Sequence, residues 1–288
     1  MTMAKRLRFL RMGLQTVLGL RCQGVFIPYR HADELTRPVP TYAAIEALFK
    51  SAKPDFADLL KRIDGLADAL RAIGGQPAPA PRWDQQWFPR LDAAVAYTLV
   101  RKRRPRLIVE TGSGHSTRFM ARAITDGDLA TRLVAIDPAP RAGLAGLPVK
   151  HHQGTVQSVG LDLFRALAAG DVLFVDSSHL ALPGSDVDVL FGRVLPGLPA
   201  GVLVHIHDVL LPDDYPASWR WRGYNEQQAV AALLAGGGFK PIFASHYAAT
   251  RMAASVAATV IDTLAHPGAA PETSLWLEKT APPLGPIG

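Results

Sequence analysis

Cysteine is nearly absent: Cys22 is the only one in 288 residues. An intramolecular disulfide is therefore excluded, and so is a structural zinc site built on cysteines. A lone thiol fits a reducing compartment, and a cytoplasmic protein is expected. Charged residues are also sparse, at 19% against 48% hydrophobic, which is the composition of a folded globular chain rather than a disordered one. Glycine and proline occur without a period, so collagen-like and solenoid folds fall away. No apolar run is long enough to cross a bilayer: the N-terminal stretch 12–20 is short and is interrupted by Gln15. It has the basic start of a signal peptide, but Arg21, Cys22, Gln23 and Gly24 make a poor cleavage site.

What charge there is leans positive, to a formal +6. The basic residues concentrate in Lys5, Arg6, Arg8 and Arg11, and again in 101–104 with Arg106. The second group precedes an apolar strand and reads as a solvated helix end. No zinc-finger spacing or RNA-binding aromatic signature accompanies either group, so no nucleic-acid partner is expected. In the first group Leu10, Leu14, Val17 and Leu18 share one face of a basic amphipathic helix. Such a helix docks on its own domain, on a partner or on a membrane surface. Peripheral membrane contact by residues 1–20 and a homo-oligomer both stay open.

Residues 1–80 read as helices and connectors. Helical spacing covers 42–49 and 56–73, the latter with Leu59, Ile63, Leu66 and Leu70 in one stripe that Gly74 and Gly75 end. The proline-rich stretch 76–81 reads as a stiff linker, so a helical extension (1–80) is expected before a main domain (81–288). From there helical and strand patterns alternate. Strands are expected at 106–110, 132–137, 147–152, 171–176, 201–207, 239–245 and 274–277. Helices are expected at 91–102, 116–124, 161–169, 186–195, 225–235 and 256–264. Continuous apolar strands between helices imply an α/β fold, doubly wound, with a mostly parallel sheet covered on both faces.

Ligands of such sheets bind at the carboxyl ends of the strands. Four apolar runs end in acid or histidine: at Glu110, Asp137, Asp176, and His207 with Asp208. The first is followed by Thr111, Gly112, Ser113, Gly114, His115, Ser116 and Thr117. Its glycines allow a tight turn and close approach of a nucleotide-like group to the next helix. Alone, a Gly-x-Gly is also an ordinary strand-to-helix turn. Thr117 stands where a dinucleotide fingerprint has its third glycine, so NAD is poorly served. Glu110 can pair with a cationic amino group, which S-adenosylmethionine has and NAD lacks. Asp137, closing the second strand, suits ribose hydroxyls, or a helix cap.

The segments 110–117, 135–138, 173–179 and 202–208 together resemble class I S-adenosylmethionine-dependent methyltransferases. The nearest group is the small bacterial O-methyltransferase-like proteins called methyltransferase family 24. The resemblance covers roughly 83–279. It implies a Rossmann-like seven-stranded sheet with an antiparallel last strand. It also implies cofactor contacts from the loop and strand ends, at Glu110, Gly112, Ser113, Gly114, Ser116, Asp137 and Asp176. In catechol-type relatives, acids after the fourth and fifth strands bind magnesium. The matching positions here are Asp176, His207 and Asp208. With a histidine in the set, manganese, iron or zinc would suit the site better than magnesium. The rival reading is a metal-free base cluster in which His207 or His179 takes the acceptor's proton beside Asp208. His205, further down the same strand, reads as a core histidine. The long segment 211–227 offers Trp219, Trp221 and Tyr224 as a wall for a small-molecule or sugar-type acceptor, with Arg220 and Arg222 for an anionic group. His246 is expected to close the sixth strand near the same pocket, and Asn225 to cap the following helix with Gln228 in a capping box. The alternatives are a nicotinamide-dependent oxidoreductase on the same fold and a non-catalytic interaction protein.

Overall fold

The computed structural model describes residues 3–288, apart from the side chain of Ala269. They form two compact units: Met1–Pro40 with Asp213–Tyr224, and Thr41–Pro212 with Asn225–Gly288. The expected boundary at residue 80 is not where the chain divides. Helices 43–71 belong to the larger unit, where Phe49, Phe56, Leu60, Ile63 and Leu70 join its core. The linker is tied down too, since Trp83 just beyond it donates its indole N–H to the Leu70 carbonyl at 3.1 Å. Residue 212, rather than 80, precedes the segment that leaves that unit.

The smaller unit holds α1 (Met3–Val17), a single helical turn at Ala32–Glu34, and another at Ala217–Arg222. Asp214 joins its two segments by accepting a hydrogen bond from the Val39 amide at 2.9 Å.

The larger unit begins with α2 (Ala43–Ser51), α3 (Lys53–Asp64) and α4 (Ala67–Arg71). The one helix expected over 56–73 is thus two, parted at Gly65 and Leu66. The stripe survives the break, because Leu66 partly and Leu70 fully still pack into the core. Then come α5 (Arg90–Arg103), β1 (Leu107–Thr111), α6 (His115–Asp126), β2 (Arg132–Ile136) and β3 (Val149–His152). Between β3 and the next strand come two single turns, α7 (Val156–Val159) and α8 (Asp162–Arg165), and only α8 forms within the helix expected over 161–169. Next are β4 (Val172–Val175), α9 (Asp186–Val189) and β5 (Leu203–Ile206). The chain closes with α10 (Glu226–Ala235), β6 (Phe239–Ala244), α11 (Ser245–Arg251), α12 (Ala253–Ala257) and β7 (Leu275–Lys279).

All seven expected strands form, in one sheet of order β3-β2-β1-β4-β5-β7-β6. The first five are parallel and β7 runs antiparallel to both its neighbours. β1, β4 and β5 are buried along their whole length, as continuous apolar runs require. Chain direction across the sheet reverses between β1 and β4. That switch point is where a doubly wound sheet opens a crevice beyond its carboxyl ends.

Candidate active site

The parallel ladder fixes the strand ends. Backbone hydrogen bonds continue past the strands, the N–H groups of Gly112, Asp176 and His207 donating to the carbonyls of Ile136, Thr111 and Val175, each at 2.8–2.9 Å. The first residues beyond β1, β4 and β5 are therefore held in register at one edge.

Gly112 sits at the crossing. Its φ is +75°, and a Cβ there would lie 2.0 Å from the Asp176 carbonyl oxygen. The glycine is needed so that the ends of β1 and β4 can touch, which is a sharper reason than approach to a ligand. Beyond it, Gly114 (φ +157°) leads into α6, and its amide donates to Thr117 Oγ1 at 2.9 Å. The residue in place of a third glycine thus closes the loop.

Glu110 does not line the crevice. It is fully buried, and its two carboxylate oxygens accept from Ser116 Oγ at 2.5 Å and Thr117 Oγ1 at 2.6 Å. Burial pushes its carboxyl up to about 8, offset in part by those two hydroxyls. Glu110 thus clamps β1 to α6 through Ser116 and Thr117, and Ser116 also lines a narrow recess beside the crevice. Asp137 is similarly engaged. One oxygen accepts from the Ser113 amide (2.6 Å) and hydroxyl (3.0 Å), the other from the Ala139 amide (2.7 Å). It does line the crevice, as do Gly112, Ser113, Arg141, Asp176 and Ser177, around a volume of 530 Å³. That is the size range of small-molecule sites. A narrow recess between Trp87, Phe88 and Gly114 shares Ser113, Arg141 and Asp176 with it.

Asp176, His179, His207 and Asp208 converge. His179 Nε2 is 3.3 Å from Asp176 Oδ1 and 3.6 Å from Asp208 Oδ2. His207 Nδ1 is 3.7 Å from Asp176 Oδ1 and 3.6 Å from Asp208 Oδ1. Two acids not foreseen complete the cluster. Glu226, at the start of α10, meets His179 Nδ1 at 2.8 Å, and Asp92, on α5, lies 3.6 Å from His207 Nε2. Asp92 also anchors the segment before β7, accepting from the amides of Thr273 (2.9 Å) and Ser274 (3.0 Å). A lone acid in the otherwise apolar run 91–100 was the available signal for Asp92. Glu226 carried none, since it is one of several consecutive polar residues, 225–228, where a helix begins. Asp208 and His179 both have positive φ, +53° and +61°. Non-glycine residues rarely hold that conformation unless their surroundings enforce it.

Electrostatics follow from this geometry. Burial alone would lower His207, but Asp176 first, then Asp92 and Asp208, raise it to about 9. Burial is likewise overcome at His179 by its bonds to Asp176 and Glu226, and its pKa lies well above the ordinary value. Asp176, which burial would raise, is held low by His207 and His179. Its side chain is still 34% exposed at the crevice, so water moderates that effect. His205 behaves differently. It is fully buried, stacks on Phe174 at 3.7 Å and bonds Ser274 Oγ at 2.8 Å, and burial drives it well below its usual value. It is the core histidine expected.

Among the described residues no group of three or more His, Cys, Asp and Glu side chains is arranged to hold a metal ion. The carboxylates of Asp176 and Asp208 stand 3.3–3.7 Å from imidazole nitrogens of His179 and His207. His246 falls on α11 rather than closing β6, and the adjacent Tyr247 is buried against Phe49 at 5.6 Å. Asn225 makes no cap bond. Its side-chain oxygen accepts from the Ala181 amide at 2.7 Å, tying the loop after β4 to α10. Trp219, Arg220, Trp221, Arg222 and Tyr224 belong to the smaller unit, where the Arg222 guanidinium lies 4.0 Å over the Trp219 ring. Their role toward an acceptor rests on the sequence pattern alone.

Residues 109–209 match a family described as a methyltransferase domain, the family 24 type. No curated protein matches the chain. Among solved structures it is similar to the Podospora anserina methyltransferase PaMTH1 with S-adenosylhomocysteine bound. Identity is 16%, over 90% of this chain and 100% of that one, at a TM-score of 0.44. It is also similar to TomG from Streptomyces achromogenes, an O-methyltransferase of tomaymycin synthesis in complex with S-adenosylmethionine. There identity is 18%, coverage 77% and 90%, and TM-score 0.43. A structure of CmcI with magnesium and S-adenosylmethionine shares 16% identity over 73% and 89%, at a TM-score of 0.38.

Proposed function

We propose, from the premise that this chain carries an S-adenosylmethionine-dependent methyltransferase domain of class I, that it methylates an oxygen of a small hydroxylated acceptor with His207 as proton acceptor. The observation that carries this reading is that Asp176, which lines the 530 Å³ crevice, faces both His179 and His207, which in turn face Asp208 behind it.

Residues of the crevice would hold the cofactor: Gly112 and Ser113 beneath it, Asp137 at the end of β2, Asp176 at the rim. Bound there, S-adenosylmethionine supplies an activated methyl group on a positively charged sulfur. The cluster suits that charge, because Asp92, Asp176, Asp208 and Glu226 outnumber the two imidazoliums by two. Positioning of donor and acceptor in line supplies most of the rate enhancement.

Of the two histidines expected as base, His207 is the better placed. Its pKa near 9 is strong enough to draw a proton from a weakly acidic hydroxyl and still release it to water. His179 is bound closely, at 2.8 Å to Glu226 and 3.3 Å to Asp176, and acts as a fixed cation, whereas the carboxylates that face His207 stand 3.6–3.7 Å away. Phe88, 5.6 Å from the His207 ring, shields it from bulk water. A cytoplasmic setting fits the exposed free thiol of Cys22.

The sign of the pH dependence follows. His207 is protonated and idle below about 9 and becomes a base above it, so kcat/KM rises with pH and levels off near 9. The profile is measured with and without EDTA, and with Asp208→Ala beside it. The expected result is a limb near 9 that the chelator leaves unchanged. Asp208→Ala should lower kcat about 10²-fold or more while S-adenosylhomocysteine affinity by calorimetry stays nearly intact. Loss of activity in EDTA with recovery in magnesium or manganese would replace the base by a metal centre. Equal loss of cofactor binding and turnover in the variant would sink the assigned role of Asp208.

A further inference from the structure

The smaller unit carries an apolar surface that methyl transfer leaves unused. One face of α1 is satisfied: Phe9 lies edge-on to Trp221 at 5.8 Å, and Lys5 Nζ stands 5.4 Å over the same ring. The opposite face is not. Met3, Leu7, Leu10, Leu14 and Val17 recur at i, i+4, i+7, i+11 and i+14, a stripe about 80° wide at 3.6 residues per turn. All five are more than half exposed. On the same helical projection Arg6 borders the stripe on one side and Arg11 on the other. Exposed Leu18, Leu20, Val25, Phe26 and Ile27 follow directly.

Charge singles out the same segment. Residues 1–32 contain Lys5, Arg6, Arg8, Arg11, Arg21 and Arg30 and no acid; the first is Asp33. The whole chain has a formal charge of +6, so the rest of the sequence is balanced and the entire excess lies in this stretch.

We propose that α1 lies in the surface of a bilayer containing anionic lipid, its leucine stripe entering the acyl boundary and its arginines meeting phosphate groups. Only that partner uses both properties. Nucleic acid would take the charge and leave the stripe in water. A second copy would cover the stripe but set like charges against like. A bilayer accepts an apolar face about 5–10 Å deep while long arginines at its borders reach the headgroups. The helix lies on the membrane rather than through it: it has 15 residues, and among the described residues no helix is long and apolar enough to span.

The test is co-sedimentation of the full chain with vesicles of phosphatidylcholine alone and of phosphatidylcholine mixed with phosphatidylglycerol. Binding is expected to the mixed vesicles and to weaken about fivefold for each of Arg6→Gln and Arg11→Gln. Leu10→Glu with Leu14→Glu should abolish it while circular dichroism and S-adenosylhomocysteine binding stay as in the parent. The proposal is overturned by absence of binding to either vesicle, by equal binding to both, or by binding that survives the double leucine variant. A lipid-free dimer in light scattering that the same variant dissolves would overturn it in favour of a second copy.

Discussion

At the carboxyl edge of the sheet Asp92, His179, His207 and Glu226 are ionisable groups taken out of water; along α1 Met3, Leu7 and Leu10 are apolar groups left in it. Both depart from the ordinary partition of residue types. They differ in how the departure is offset. The buried groups answer one another, each imidazole nitrogen facing a carboxylate within 3.7 Å, so desolvation is balanced inside the fold. The exposed stripe has nothing of its own to answer it. A cluster of the first kind is finished before any ligand arrives, whereas a surface of the second kind is completed only by something external.

The contrast can be broken most forcefully at Gly112. Alanine there meets the Asp176 carbonyl and must hold a left-handed backbone, at a combined cost of about 2–5 kcal/mol. Thermal unfolding should fall accordingly and S-adenosylhomocysteine binding should be lost, since β1 and β4 can no longer meet. A melting temperature within error of the parent would mean that the crossing is looser than described. Asp92→Asn sharpens the contrast at intermediate size. It removes a negative charge facing His207 and leaves one of the Thr273 and Ser274 amides without its acceptor, a loss of about 1–3 kcal/mol. The alkaline limb of the rate profile should move toward acid, because one of the groups that raises His207 is gone. An unmoved limb in a destabilised protein would make Asp92 purely structural. The smallest effect is expected at the other region: Leu14→Glu should change the unfolding free energy in water by no more than about 0.5 kcal/mol, since the side chain is exposed. A loss of several kcal/mol on chemical denaturation would show that the stripe is core after all.

The strands were legible because each is a short apolar run ending in a polar residue, as in 107–111 and 172–176. The edge they share, and hence Asp176, His207 and Asp208, followed from that ending. What stayed hidden was pairing between distant elements. Asp92 is 115 positions from His207 along the chain yet 3.6 Å from it in space, and nothing periodic links the two. Glu110 was read as a ligand contact because its position is right; that Ser116 and Thr117 would consume both its oxygens depends on how α6 turns back. One helix limit failed where glycine intervened, at Gly65, and the helix expected over 161–169 stops after a single turn at Arg165. Asn225 has the side chain of a cap, but the loop after β4 passes close enough to compete for it.

The hold of Asp92 on the amides of Thr273 and Ser274 bears on the order in which the molecule is made. Synthesis runs from the N-terminus at about 5–20 residues per second. Asp92 and the strand ends at Gly112, Asp176 and His207 therefore exist for some seconds before residue 274 leaves the ribosome. During that interval α5 holds a carboxylate with no backbone donors, and β5 lacks its antiparallel neighbour β7. The nascent chain can bring its parallel strands together, but Asp92 gains its two backbone donors only when the segment leading into β7 arrives beside β5.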